Sequence, residues 1–189
     1  MNDSFAYLSV LISIVLGLAV AHLLGSLVRV VNARERTVFY WPSLLWAGTL
    51  FLIIAQLWWA DASLRTYSHW NFAAFLVLLA QPAALYFLCA LILPVPEDRE
   101  TFDMRAAFAR NRAWFFIALL VAVALSFIKE LVLYGHLPQG ANGVALSLFA
   151  VFALVALALK SELAQKINAV VAAIMMVAYI VVLFSALPV

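Results

Sequence analysis

The chain has 189 residues, of which 68% are apolar and 11% charged, with a mean hydropathy of +1.11. Soluble domains carry about 45–50% apolar and about 25% charged residues, so a water-soluble fold is excluded and lipid must solvate part of the surface. The formal net charge of +2 is too small to imply a nucleic-acid partner, and a single cysteine, Cys89, excludes an intrachain disulfide, a CxxC redox pair and a multi-cysteine metal site.

A bilayer-spanning helix needs about 20 mostly apolar residues, and the charged residues cut the chain into such lengths. No Asp, Glu, Lys or Arg lies between Asp3 and Arg29, which predicts helix 1 over 5–28. Met1 to Ser4 carry no basic residue and the apolar run is too long for a secretory h-region, so it is expected to span rather than to be cleaved. Further charge-free runs predict helix 2 over 42–60, helix 3 over 71–93 and helix 6 over 168–187. The stretch 113–159 is too long for one span. Gly135-His136-Leu137-Pro138-Gln139-Gly140 interrupts it, a breaker-rich turn that separates helix 4 (113–134) from helix 5 (142–159). The runs are apolar throughout rather than alternating, which excludes β-barrel strands. The expected fold is an all-α bundle of six membrane-spanning helices forming one domain over 1–189.

Basic residues in loops set orientation. Arg29, Arg34 and Arg36 follow helix 1, Arg99, Arg105, Arg110 and Arg112 follow helix 3, and Lys160 and Lys166 follow helix 5. Only Arg65 and Lys129 fall on the other side. This places the basic loops in the cytoplasm and both termini outside, as in a bacterial inner-membrane protein. In the longest link, Pro94-Val95-Pro96 stops helix 3 and Glu97-Asp98-Arg99-Glu100 is a solvated charge run. Phe102, Ala106, Phe108 and Ala109 then interleave with Arg105 and Arg110. That pattern predicts an amphipathic surface segment within 97–112 before helix 4 begins.

Polar residues inside the spans are the candidates for function. In helix 1, Ser9, Ser13, Gly17, Ala21 and Gly25 recur every four residues, a flat stripe where another helix can approach closely. Packing within the chain is the expected use, and contact with a second copy or a partner subunit is the alternative. His22 lies beside the stripe, one turn from Ser26. A hydrogen bond to Ser26 or to a neighbouring helix is expected. Haem bridged between two copies by paired His22 residues is the alternative, since His69 and His136 belong to other loops and no metal site is visible. Thr49 and Gln56 share a face of helix 2. Gln81-Pro82 falls near the middle of helix 3, where proline frees a carbonyl and kinks the helix.

The densest polar cluster lies on the sparsely basic side. Trp58, Trp59, Asp61, Arg65, Tyr67, His69, Trp70 and Asn71 surround the link between helices 2 and 3, while Lys129, Glu130, Tyr134 and His136 end helix 4. The aromatics alone fit an interfacial belt. Lys129 and Glu130 lie about one turn inside the apolar run and need partners, which suggests Arg65 with Glu130 and Asp61 with Lys129. These charges either fasten helix ends or form the mouth of a polar vestibule that includes Gln56 and Gln81.

Ser26-Leu27-Val28-Arg29 echoes Ser126-Phe127-Ile128-Lys129, and Leu93-Pro94-Val95 recurs as Leu187-Pro188-Val189. This hints at two inverted three-helix halves, an arrangement typical of transporters. The sequence holds no phosphate-binding glycine loop, HExxH or GxSxG, so nothing assigns an enzyme. Three function classes remain: a small channel or transporter with an outward-facing vestibule, a membrane scaffold or complex subunit docking through helix 1, and a haem or redox protein using His22.

Overall fold

A computed structural model describes residues 3–93 and 101–183, with side chains from Tyr7 onward except Thr66. Its long elements are α1 (Asp3–Asn32), α2 (Trp41–Ala60), α3 (Phe72–Ile92), α4 (Met104–Tyr134), α5 (Gly140–Ala158) and α6 (Glu162–Leu183). All six are long and apolar enough to cross a membrane, so the chain is a multi-pass membrane protein. The shortest, α5, has 19 residues at a mean hydropathy of 2.2, equal to α3.

Local chemistry sets the helix ends. Pro42 sits in the first turn of α2, where its missing N–H leaves no bond unmade. Asn71 caps α3 by accepting from the Ala74 amide at 2.8 Å. Asp103 caps α4 by accepting from the Arg105 and Ala106 amides at 2.8 and 3.1 Å. Gly135 ends α4 with φ +74°, a left-handed conformation that a Cβ disfavours.

The separate surface helix expected before helix 4 does not form. Met104 opens α4, which continues unbroken for 31 residues. The stretch 104–134 contains no glycine or proline to break it, and Phe108 is buried against Tyr40 at 5.7 Å rather than lying on a lipid surface. The charge run 97–100 and the last residues expected in helix 6, 184–187, lie outside the described residues.

Helices α2 to α6 enclose the interior, with α3 on α4, α4 on α5, α5 on α6 and α6 on α2. α1 lies outside this group and packs mainly along α3, with a smaller contact to α2. If the halves were inverted copies, α4 and α6 would repeat the α1–α3 pairing, and they make no comparable contact.

The basic end is stitched together. Thr37–Val38 (β1) and Phe102–Asp103 (β2) pair as a two-residue parallel ladder, a small addition to the expected all-α fold. Arg105 bridges to Glu162, which also pairs with Lys166 at 2.8 Å. Asn111 Nδ2 donates to the Leu91 carbonyl at 3.2 Å. Arg112 Nη1 donates to the carbonyls of Ala156, Leu157 and Leu159 at 3.1, 2.8 and 3.0 Å. These are the carbonyls that the end of α5 leaves without partners, and a cation there also complements the helix dipole.

Candidate functional site

At the opposite end, the inner faces of α2 to α6 are polar. On α4, Ser126, Lys129 and Glu130 are three and four residues apart and share a face. The Lys129 Nζ lies 3.6 Å from Asp61 Oδ1 at the end of α2, as the sequence suggested. Glu130 does not pair with Arg65. Its Oε1 accepts instead from Asn142 Nδ2 on α5 at 3.4 Å, and Tyr179 on α6 donates through its phenol to Asn142 Oδ1 at 2.9 Å. Arg65 is exposed and forms no ion pair among the described residues. Deeper, beside Pro82 within α3, Gln81 Nε2 donates to Ser126 Oγ at 2.9 Å, and Ser126 Oγ donates to the Ala122 carbonyl at 3.2 Å.

These side chains line one cavity of about 560 Å³ that includes Gln56, Asp61, Gln81, Ser126, Lys129, Glu130, Asn142 and Tyr179. Counting nine residues from the start of α3 to Gln81 at 1.5 Å each, the cavity reaches about 13 Å along the bundle, close to mid-membrane. A smaller chamber of about 90 Å³ continues inward, sharing Gln56, Gln81, Ser126 and Tyr179 and floored by Leu85, Leu119, Phe149 and Met176. Next along the helices comes a packed aromatic block. Trp46 lies 4.9, 5.9 and 6.3 Å from Phe115, Phe116 and Phe152, and all but Phe152 are nearly inaccessible. The polar space is therefore closed toward the basic end.

Two properties bear on what it can hold. Among the described residues its lining carries two carboxylates, Asp61 and Glu130, against one cation, Lys129. Gln81 Oε1 is buried and accepts no hydrogen bond among the described residues, at a place where water or a ligand donor could satisfy it.

The other sequence candidates fall elsewhere. His69 and His136 are exposed and do not line the cavity. They belong to an aromatic rim in which His69 packs on Tyr67 at 6.3 Å, His136 stacks on Tyr134 at 6.1 Å, and Tyr67 contacts Trp70 at 5.0 Å. Thr49 donates to the Leu45 carbonyl of its own helix at 2.9 Å. His22 is not bonded to Ser26 among the described residues; the Ser26 hydroxyl oxygen accepts instead from Arg29 Nη2 at 3.0 Å. The His22 ring sits edge-on to Tyr86 at 5.4 Å, and its Nε2 is buried without a hydrogen-bond partner among the described residues.

The small-residue stripe is also placed differently from expectation. Among the described residues α1 buries Leu8, Ile12, Leu16, Ala19, Leu23, Ser26 and Val30 in the bundle. Ser13, Gly17 and Ala21 are exposed, with Ser9 and Gly25 at the edge, and a Cβ built on Gly17 would meet nothing within 4 Å. Spacing shows which residues share a face, while the larger aliphatic face wins the contact inside the protein.

Ser126, Asn142 and Tyr179 are the site residues that sequence reasoning did not single out. Each lies near the same end of its helix as the charged pair Lys129 and Glu130, and that shared depth is the signal that could have found them. No family model, curated protein or solved structure matches the chain.

Proposed function

We propose that this protein is a small transporter of the bacterial plasma membrane, whose polar cavity opens to the outside and accepts a small cation. The basic loops then lie in the cytoplasm and both termini outside, following the nine-to-two distribution of Lys and Arg. The observation that carries the reading is the convergence of polar groups from five helices on a cavity reaching mid-membrane. Polar groups at that depth are unfavourable in lipid and are found where they line a pathway. The excess carboxylate favours a cation, and the aromatic block around Trp46 favours a carrier over a permanently open pore.

Accessibility tests the cavity and its side. A Ser126→Cys thiol is expected to react with a membrane-impermeant methanethiosulfonate added to intact cells, whereas an Arg105→Cys thiol is not. Reaction at Arg105→Cys from outside would reverse the orientation, and an inert Ser126→Cys thiol in the folded protein would remove the cavity. In proteoliposomes, uptake of radiolabelled tetramethylammonium is expected above the protein-free rate and to return to that rate in Glu130→Gln. Uptake unchanged by Glu130→Gln would overturn the role of this carboxylate.

A second reading, as a homo-oligomer or subunit docking through α1, is favoured by the exposed Ser13-Gly17-Ala21 stripe. Gly17→Leu would keep the helix but hold a neighbour away, since interfaces of this kind depend on close backbone approach. Crosslinking in membranes is expected to show an oligomer that Gly17→Leu reduces to monomer. An uncrosslinked wild-type protein would dismiss the reading.

A further inference from the structure

Tyr179 and Leu183 each line two spaces. On one side is the polar cavity, and on the other is a groove of about 350 Å³ between α5 and α6. Phe149 likewise lines both this groove and the inner chamber. The groove is bounded by Val144, Ala145, Leu148 and Ala178, and Tyr179 is its only polar side chain among the described residues. Val144, Leu148 and Ala178 are exposed on the outside of the bundle, so in a membrane the groove faces the lipid. It exists because α5 and α6 are the most loosely packed neighbours around the cavity and alanines occupy the gap. The hydrogen bond from Tyr179 to Asn142 ties the two helices across it. The Tyr179 ring is therefore the partition between a polar, net-acidic chamber and an apolar groove open to the bilayer.

We infer that the ligand is a single-chain amphiphile with a cationic head. The head sits by Glu130, and the alkyl chain passes Tyr179 into the α5–α6 groove. A wholly water-soluble ligand would use only the chamber, and a neutral hydrocarbon only the groove. A molecule occupying both needs one polar and one apolar end. The carboxylate excess selects a positive head, and the aromatic rings of Tyr134 and Tyr179, which also line the cavity, suit a quaternary or primary ammonium. The inference rests on the cavity reading above and deepens it by naming the substrate class.

Protection of the Ser126→Cys thiol separates the two readings. The labelling rate is measured in nanodiscs with tetramethylammonium and with dodecyltrimethylammonium below its solubilising concentration. The long-chain cation is expected to protect at a concentration about tenfold lower. Ala178→Trp, which fills the groove from an exposed position, is expected to abolish that advantage and leave protection by tetramethylammonium unchanged. Leu148→Trp serves as the second variant if Ala178→Trp does not give a monodisperse protein. Equal protection by the two cations overturns the inference. So does a long-chain advantage that survives both tryptophans, since accumulation in the bilayer would then account for it. A thiol that reacts but is protected by neither cation overturns the cationic class and leaves the open cavity standing. A thiol that never reacts removes the cavity itself.

Discussion

Replacing Asp61 by alanine is expected to destabilise the bundle by about 3 kcal/mol, the low end of what losing one partner of a buried ion pair costs. Asp61 and Lys129 are 3.6 Å apart with side chains only 12% and 15% exposed. Without Asp61, the Lys129 ammonium stays in the membrane interior with no carboxylate beside it, and water in the cavity offsets only part of that loss. Lys129→Met should cost a similar amount by stranding Asp61. The double variant, Asp61→Ala with Lys129→Met, should recover most of the stability, because two apolar side chains leave no uncompensated charge. Unfolding in mixed micelles across the four proteins gives the coupling directly. Losses that simply add would show that the two groups do not interact.

Trp46→Ala should cost more, about 3–5 kcal/mol, the range for deleting a large aromatic from a packed core. Trp46 is 1% exposed and makes edge contacts with Phe115 and Phe116, so its loss leaves a void between the inner chamber and the basic end. If the cavity is the proposed pathway, the same variant should make proteoliposomes leak tetramethylammonium, because the aromatic block beneath the cavity is gone. Trp46→Phe should be far milder. It keeps a ring in place and removes an indole N–H that is buried without a partner among the described residues. A Trp46→Ala protein as stable and as tight as wild type would show that closure lies elsewhere.

The number of spans was legible because charge is expensive in lipid. Where no Asp, Glu, Lys or Arg occurs for some twenty residues, a helix can cross, and one glycine- and proline-containing turn divided α4 from α5. Gln81, Lys129 and Glu130 stood out for the same reason. Asp61 as the partner of Lys129 was legible too, but the partners of Gln81 and Glu130 were not, because pairing depends on how each helix is rotated about its axis. α2 passes into a 3-10 turn over Asp61–Thr66, in which residues three apart eclipse one another. Asp61 and Leu64 are therefore both buried while Arg65 turns outward, and Asn142 from the neighbouring α5 reaches Glu130 in its place. The ring of α2 to α6 and the cavity inside it depend on contacts between distant parts of the chain, which no local pattern records.

The packing of α1 on α3 carries a consequence for biogenesis. The main docking surface for α1 is complete only after about 60 further residues have been made, which at ordinary elongation rates takes on the order of several seconds. Through that interval α1 must remain in the bilayer on its own hydrophobicity, and with a mean hydropathy of 2.4 it is among the most apolar of the six spans. The β1–β2 ladder cannot form until the chain has been made through Phe102 and Asp103. Assembly is thus out of sequence order, with the first helix inserted early and seated late.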